Sequence, residues 1–185
     1  MQILHLVRAY WAQSRGAAAA EFAFVLMVVV FPLLNVVDFG MYIYQGMELN
    51  EAAQVAAQAA LATCTYGGPP NYSGPPQLPA TVVCTGLSSA ETTAAQSTSL
   101  GSGVTITSTT ENYYCTNSSG SLVTVGTFPN SMPADCSSVV TGSKDLPGDY
   151  ILITVSYNYT PFFTGVSMTS LLTSPITRTA WMRLS

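Results

Sequence analysis

Between Ala17 and Val37 the chain runs for 21 residues with one ionisable side chain, Glu21, and that run limits what the chain can fold into. An α-helix over it is about 30 Å long at 1.5 Å per residue, the thickness of one bilayer hydrocarbon core. A carboxylate at the head of such a helix is costly in lipid and asks for a positive partner. Cleavage after Gly16 would supply one, because the freed amine of Ala17 can meet Glu21 of a neighbouring copy. The simpler reading is an uncleaved anchor, in which Glu21 lies in the first helical turn and favours the helix dipole.

The residues before the run favour cleavage. Met1 to Gly16 carries Arg8 and Arg15 and no acid, and it ends before the apolar run begins. An ordinary secretory signal is cut after its apolar core, at a small-x-small site. The nearest such pattern, Ala57-Gln58-Ala59, lies far past the run, so the membrane segment stays in the mature chain. Arg8 and Arg15 flank its amino end, and the next basic residue is Lys144. The positive-inside bias therefore puts residues 1–16 in the cytoplasm and everything after Asp38 outside.

Charged residues make up only 8% of the 185 and the formal net charge is −4, which loss of Arg8 and Arg15 takes to −6. A chain so short of basic side chains has no face with which to displace counterions, so nucleic acid is excluded as a partner. Cys64, Cys84, Cys115 and Cys136 all follow the apolar run. They form no C-x-x-C pair and the only histidine is His5, so no metal site is expected. In an oxidising compartment four spaced cysteines read as two disulfides, with three possible connectivities. The local pairs Cys64 with Cys84 and Cys115 with Cys136 are favoured; four reduced, buried thiols are the alternative.

The helix is expected to continue past the membrane. Met41 to Ala62 contains no proline and is rich in helix formers. Gln45, Glu48, Glu51, Gln54 and Gln58 recur at spacings of three and four and make a wet stripe. Leu49, Ala53, Ala56 and Ala60 repeat on another face, small enough for a sheet to approach closely. Pro32 lacks the backbone donor and predicts a kink. Gly67 to Pro79 is a turn-rich connector. Short β-like pieces follow at Thr81–Cys84, Val104–Thr109, Asn112–Thr116 and Leu122–Phe128, with a helix over Ser88–Ser97 capped by Ser88 and Glu91. Alternation is clearest over Asp149–Tyr159 and returns around Pro175–Arg183. The fold class is α+β: a long amino-terminal helix, its first half transmembrane, with a small, mostly antiparallel β-sheet domain packed on its outer half.

Arg15-Gly16-Ala17-Ala18-Ala19-Ala20-Glu21-Phe22-Ala23-Phe24, the apolar run, Asp38-Phe39-Gly40 and the Ala-rich helix together resemble the TadE/TadF-like minor pseudopilins of tight-adherence (Tad/Flp) pilus systems. The resemblance covers about Ser14 to Ala62, and the cysteine-bearing middle has no counterpart in it. It implies a type IV pilin-like subunit, cut after Gly16 by a prepilin peptidase and assembled with other pilin or pseudopilin subunits and the Tad machinery. The divisions that follow are a leader over 1–16, a transmembrane helix over 17–38, its extracytoplasmic continuation over 39–63 and a disulfide-containing β-rich domain over 64–185. The expected location is the bacterial inner membrane, crossed once, with the carboxy-terminal domain periplasmic, or an extracellular pilus.

Other features carry less. Asn35 either hydrogen-bonds across helices or faces the headgroups. Asp38, one bilayer length from Ala17, reads as the outer boundary rather than as a second intramembrane partner. Ser143-Lys144-Asp145 lies in a turn setting rather than a catalytic one. With no histidine after residue 16, the mature chain cannot form a Ser-His or Cys-His pair, and neither catalytic residues nor cofactors are expected. Two other readings stay open, a signal-anchored extracytoplasmic binding module or adhesin and a type II secretion pseudopilin. The first of these needs no cut at Gly16; the second shares it.

Overall fold

The computed structural model describes the backbone of residues 2–65, 76–128 and 132–185, with side chains at 16 and from 18 onward within those ranges. Most of the expected turn-rich connector, 67–79, lies outside the described residues. One helix, α1, covers Gln2–Cys64 and passes Pro32 without a break. Two short helices follow, α2 over Ala80–Val83 and α3 over Leu87–Ala95. Four strands come next, β1 (Val104–Thr116), β2 (Leu122–Thr127), β3 (Gly148–Tyr157) and β4 (Ile176–Arg183). They form one antiparallel sheet in the order β2-β1-β3-β4.

The chain divides into two compact units. The first joins Met1–Ile43 with Thr160–Leu172; the second joins Tyr44–Tyr159 with Thr173–Ser185. In the second unit the small-residue face of α1 is buried. Leu49, Ala52, Ala53, Ala56, Ala57 and Ala60 are fully inaccessible, as are Ile151, Ile153 and Val155 of β3. The stripe of small residues at spacings of three and four on the helix and the alternate residues of β3 thus both lie inside this unit. Each fully buried branched side chain here stabilises by about 1.5–3 kcal/mol. At Gly46 a Cβ would lie 3.1 Å from the Arg178 guanidinium of β4, so the absence of a side chain there admits that arginine. On the solvent side of α1, Glu51, Gln54 and Gln58 are exposed, while Glu48 is half-buried and accepts a hydrogen bond from the Ser99 hydroxyl.

The strand expected over Thr81–Cys84 is instead the helix α2. Its first two amides, at Ala80 and Thr81, donate to the Glu111 carboxyl at 2.8 and 2.7 Å, and the Thr81 hydroxyl adds a third bond at 2.6 Å. A distant carboxyl thus satisfies helix-terminal donors that no local cap reaches, which overrides the β-branched run Thr81-Val82-Val83. The cap of α3 also differs from expectation. Gly86, at φ +91°, is the N-cap, and Glu91 turns inward to accept a hydrogen bond from Thr109 at 2.8 Å. The two pieces expected at 104–109 and 112–116 are one strand, bent by irregularities at Ile106/Ser108 and Tyr113/Tyr114. Sulfur atoms of Cys64 and Cys84 are 1.98 Å apart, and those of Cys115 and Cys136 are 1.90 Å apart. Each pair closes a loop of about 20 residues, worth about 3 kcal/mol in the chain-entropy account.

Glu111 has a second consequence for stability. Asp149, buried two residues along β3 from the partner of Glu111, has its pKa pushed up to about 7 by burial, then by the neighbouring Glu111 charge and a hydrogen bond to Glu111. Burial also raises Glu91. Between the ordinary Asp value and 7 the folded chain holds more protons than the unfolded one, so stability is greatest at the acid end and falls as pH rises. The prediction is that denaturant unfolding of the full chain in lipid discs loses stability from about pH 4.5 to 7.5, by about 1.4 kcal/mol per pH unit at most from this group. Asp149→Asn, which keeps the shape and a donor toward Glu111, should flatten that slope. An unchanged slope in the variant would remove Asp149 as its source.

Candidate functional site

The site is the first unit, the apolar stretch of α1 and the segment 160–172 folded against it. Its inner end is simple. Gly16 is exposed with open space around its Cα, and Glu21 is exposed on the same helix. Positions 17 and 21 are one turn apart and share a helical face. Among the described residues Glu21 makes no ion pair.

From Phe22 onward the helix surface is apolar and uncovered. Phe22, Phe24, Val25, Met27, Val28, Leu33 and Val36 are each more than half exposed. An 18-residue window of this helix reaches a mean hydropathy of 2.4, long and apolar enough to cross a membrane. A soluble helix buries one stripe and wets the other, whereas this one exposes apolar groups all round.

The outer end carries the two polar side chains of the stretch, Asn35 and Asp38, one turn apart on one face. Both hold the segment 160–172. Asp38 is fully buried, and its two carboxyl oxygens accept from the backbone N–H groups of Phe162 at 2.9 Å and Phe163 at 3.3 Å. The Asn35 side chain works both ways. Its Oδ1 accepts from Met168 N–H at 2.6 Å, and its Nδ2 donates to the carbonyls of Val166 at 3.2 Å and Phe31 at 2.9 Å. The Ser167 hydroxyl caps the 3-10 turn Met168–Leu171 by accepting from Thr169 N–H at 3.2 Å. Asn35, Val36 and Phe39 together with Met168, Thr169, Leu171 and Leu172 line an open apolar groove of about 430 Å³.

The residues singled out in the sequence thus fall into separate places. Gly16 and Glu21 lie at the inner end of the stretch, and the two cysteine pairs belong to the second unit. The Asn35 amide bonds the chain's own segment 160–172, and Asp38, expected at the outer boundary, is a buried acceptor for the same segment. The sequence reading missed 160–172 altogether. The available signal was a stretch of 13 residues with no charge and six large apolar side chains, Phe162, Phe163, Val166, Met168, Leu171 and Leu172. Among the described residues no group of three or more His, Cys, Asp or Glu is placed to hold a metal ion.

A long apolar amino-terminal helix followed by a small four-stranded antiparallel sheet defines an α+β protein of pilin-like layout. Residues 16–58 match the family described as TadE-like protein, so this stretch is similar to a component associated with Tad pili. That family is one of structural pilus components. Comparison with curated proteins and with solved structures gave no match.

Asp38→Ala would strand two amides against an apolar surface. Hydrogen bonds to a charged acceptor contribute about 1.5–3 kcal/mol each, so amide exchange at Phe162 and Phe163 should accelerate by about a hundredfold or more. Exchange at the β3 amides should stay unchanged. Wild-type protection at 162 and 163 in the variant would show that Asp38 does not hold the segment.

Proposed function

We propose that this chain is a minor pilin or pseudopilin that serves as a structural component in the assembly of a Tad-type pilus. The observation that supports it most is the uncovered apolar helix bearing Glu21 one turn beyond Ala17, inside the stretch that matches the TadE-like family. In this reading residues 1–16 are a leader removed by a prepilin peptidase after Gly16. Residues 17–38 span the inner membrane, 39–63 continue the helix outside it, and 64–185 form the periplasmic domain with its two disulfides. Once cut, the chain is held in the membrane or drawn into a pilus.

The chemistry rests on charge in lipid. The Ala17 ammonium and the Glu21 carboxylate are each poorly solvated there, and each lowers the cost of the other when two copies, or this chain and another pilin, come together. Within one chain the two groups leave no such choice of partner to fix axial register. Across chains a single pairing sets how far one helix slides along the next. Desolvation offsets much of the attraction, so the pair specifies register more than it adds net affinity. The exposed apolar side chains from Phe22 to Val36 supply the packing surface for lipid and neighbouring helices.

Glu21→Ala tests this. The variant should insert and be cut as the wild type is, since neither step needs the carboxylate. Its co-purification with other pilus subunits from membranes should fall by about tenfold or more, because it leaves a partner's amine without a counter-charge. Recovery of wild-type amounts of partner with the variant would contradict the proposed pairing.

A further inference from the structure

We propose that the segment 160–172 is a second membrane contact, seated in the headgroup and upper acyl region of the outer leaflet beside α1, with bilayer lipid as its occupant. The proposal rests on the reading of α1 as a spanning helix and adds a surface that the reading does not contain.

Three observations carry it. The first is composition and exposure. No residue from Thr160 to Leu172 is charged, yet Phe162, Met168 and Leu171 are 76%, 61% and 84% exposed. Large exposed apolar groups within 13 residues that carry no charge mark a surface that meets something other than water.

Level is the second. Asn35 and Asp38 lie 18 and 21 positions from Ala17, about 27 and 32 Å along a helix, which is where the hydrocarbon of a bilayer ends. The segment they grip is therefore held at the outer boundary. Its groove continues the apolar surface of the helix itself, through Val36 and Phe39 to Leu171 and Leu172, so one lipid-facing band includes both.

The third concerns the backbone. Irregular chain at membrane depth is tolerated only where its polar groups are satisfied from within. Here Phe162 and Phe163 N–H donate to Asp38, and Met168 N–H to Asn35. Val166 and Ser167 N–H donate to Phe163 C=O, Leu172 N–H to Thr169 C=O, and Thr169 N–H to the Ser167 hydroxyl. A partner protein would be expected to leave polar or charged groups at the rim of such a patch, and this segment has no charge to offer one.

Fluorophore labels at Phe162→Cys and Leu171→Cys, each in the full chain reconstituted into phosphatidylcholine vesicles, test this. Both side chains are exposed, so a label there displaces no packed atoms. Labels at Leu26→Cys in the middle of the apolar stretch and at Ser118→Cys in the β1–β2 turn give the two reference environments. Quenching by a nitroxide on the lipid chain near the headgroup should be severalfold stronger at 162 and 171 than at 118, and quenching by aqueous iodide severalfold weaker. Iodide access at 162 and 171 equal to that at 118, with 26 protected, would overturn the proposal and leave the spanning helix intact. Protection from iodide without nitroxide quenching would mean that protein covers the segment, and would overturn it too. Aqueous access at 26 would remove the spanning helix and this proposal together.

Discussion

A peptide group that has left water must find its hydrogen bonds within the protein, and with the first unit placed in and beside the membrane, as proposed, that constraint governs it. Along α1 helical geometry pairs each interior N–H with the carbonyl four residues back, save at Pro32, which has no N–H, and that pairing is what lets a stretch of exposed phenylalanines, valines and leucines exist without a wet face. Two departures from the apolar pattern remain at the outer end, Asn35 and Asp38. Each is used to meet backbone groups of 160–172, so the same rule that shapes the helix also shapes the segment folded against it. Glu21 is the third departure, and the chain supplies no partner for it among the described residues.

The second unit obeys different rules. Its core holds the buried alanine face of α1 and the buried branched side chains of β3, and two cysteine pairs tie the unit covalently. Its carboxyls are used structurally. Glu111 holds the first turn of α2, and burial, with the neighbouring Glu111 second, raises the pKa of Asp149 well above the ordinary aspartate range. Buried acids in a domain with few charges are commonly read as chemistry. Here their hydrogen bonds assign them to holding elements together.

Periodicity made much of this legible beforehand. The continuation of α1 past the apolar run, the stripe Leu49-Ala53-Ala56-Ala60, and the alternating residues of β3 and β4 are local patterns, and local patterns survive folding when burial reinforces them. The illegible parts are long-range. Nothing near Thr81 announces that Glu111 will cap it, so a β-branched triplet reads as strand and folds as helix. Nothing near Asn35 announces Met168, 133 positions away, so neither alternative read for its side chain included the chain's own segment. The Gly16 and Glu21 pair is legible in another sense. Its spacing suits a cut and a counter-charge, and that chemistry belongs to an assembly rather than to one chain.

The account stands on the amine that cleavage after Gly16 would create. The most direct measurement is the amino-terminal residue of the protein taken from membranes, with the prepilin peptidase present and with it deleted. The account predicts Ala17 in the first case and Met1 in the second. Material that still begins at Met1 while the peptidase is active would contradict it, and Glu21 would then be an acid in the first turn of an uncut anchor.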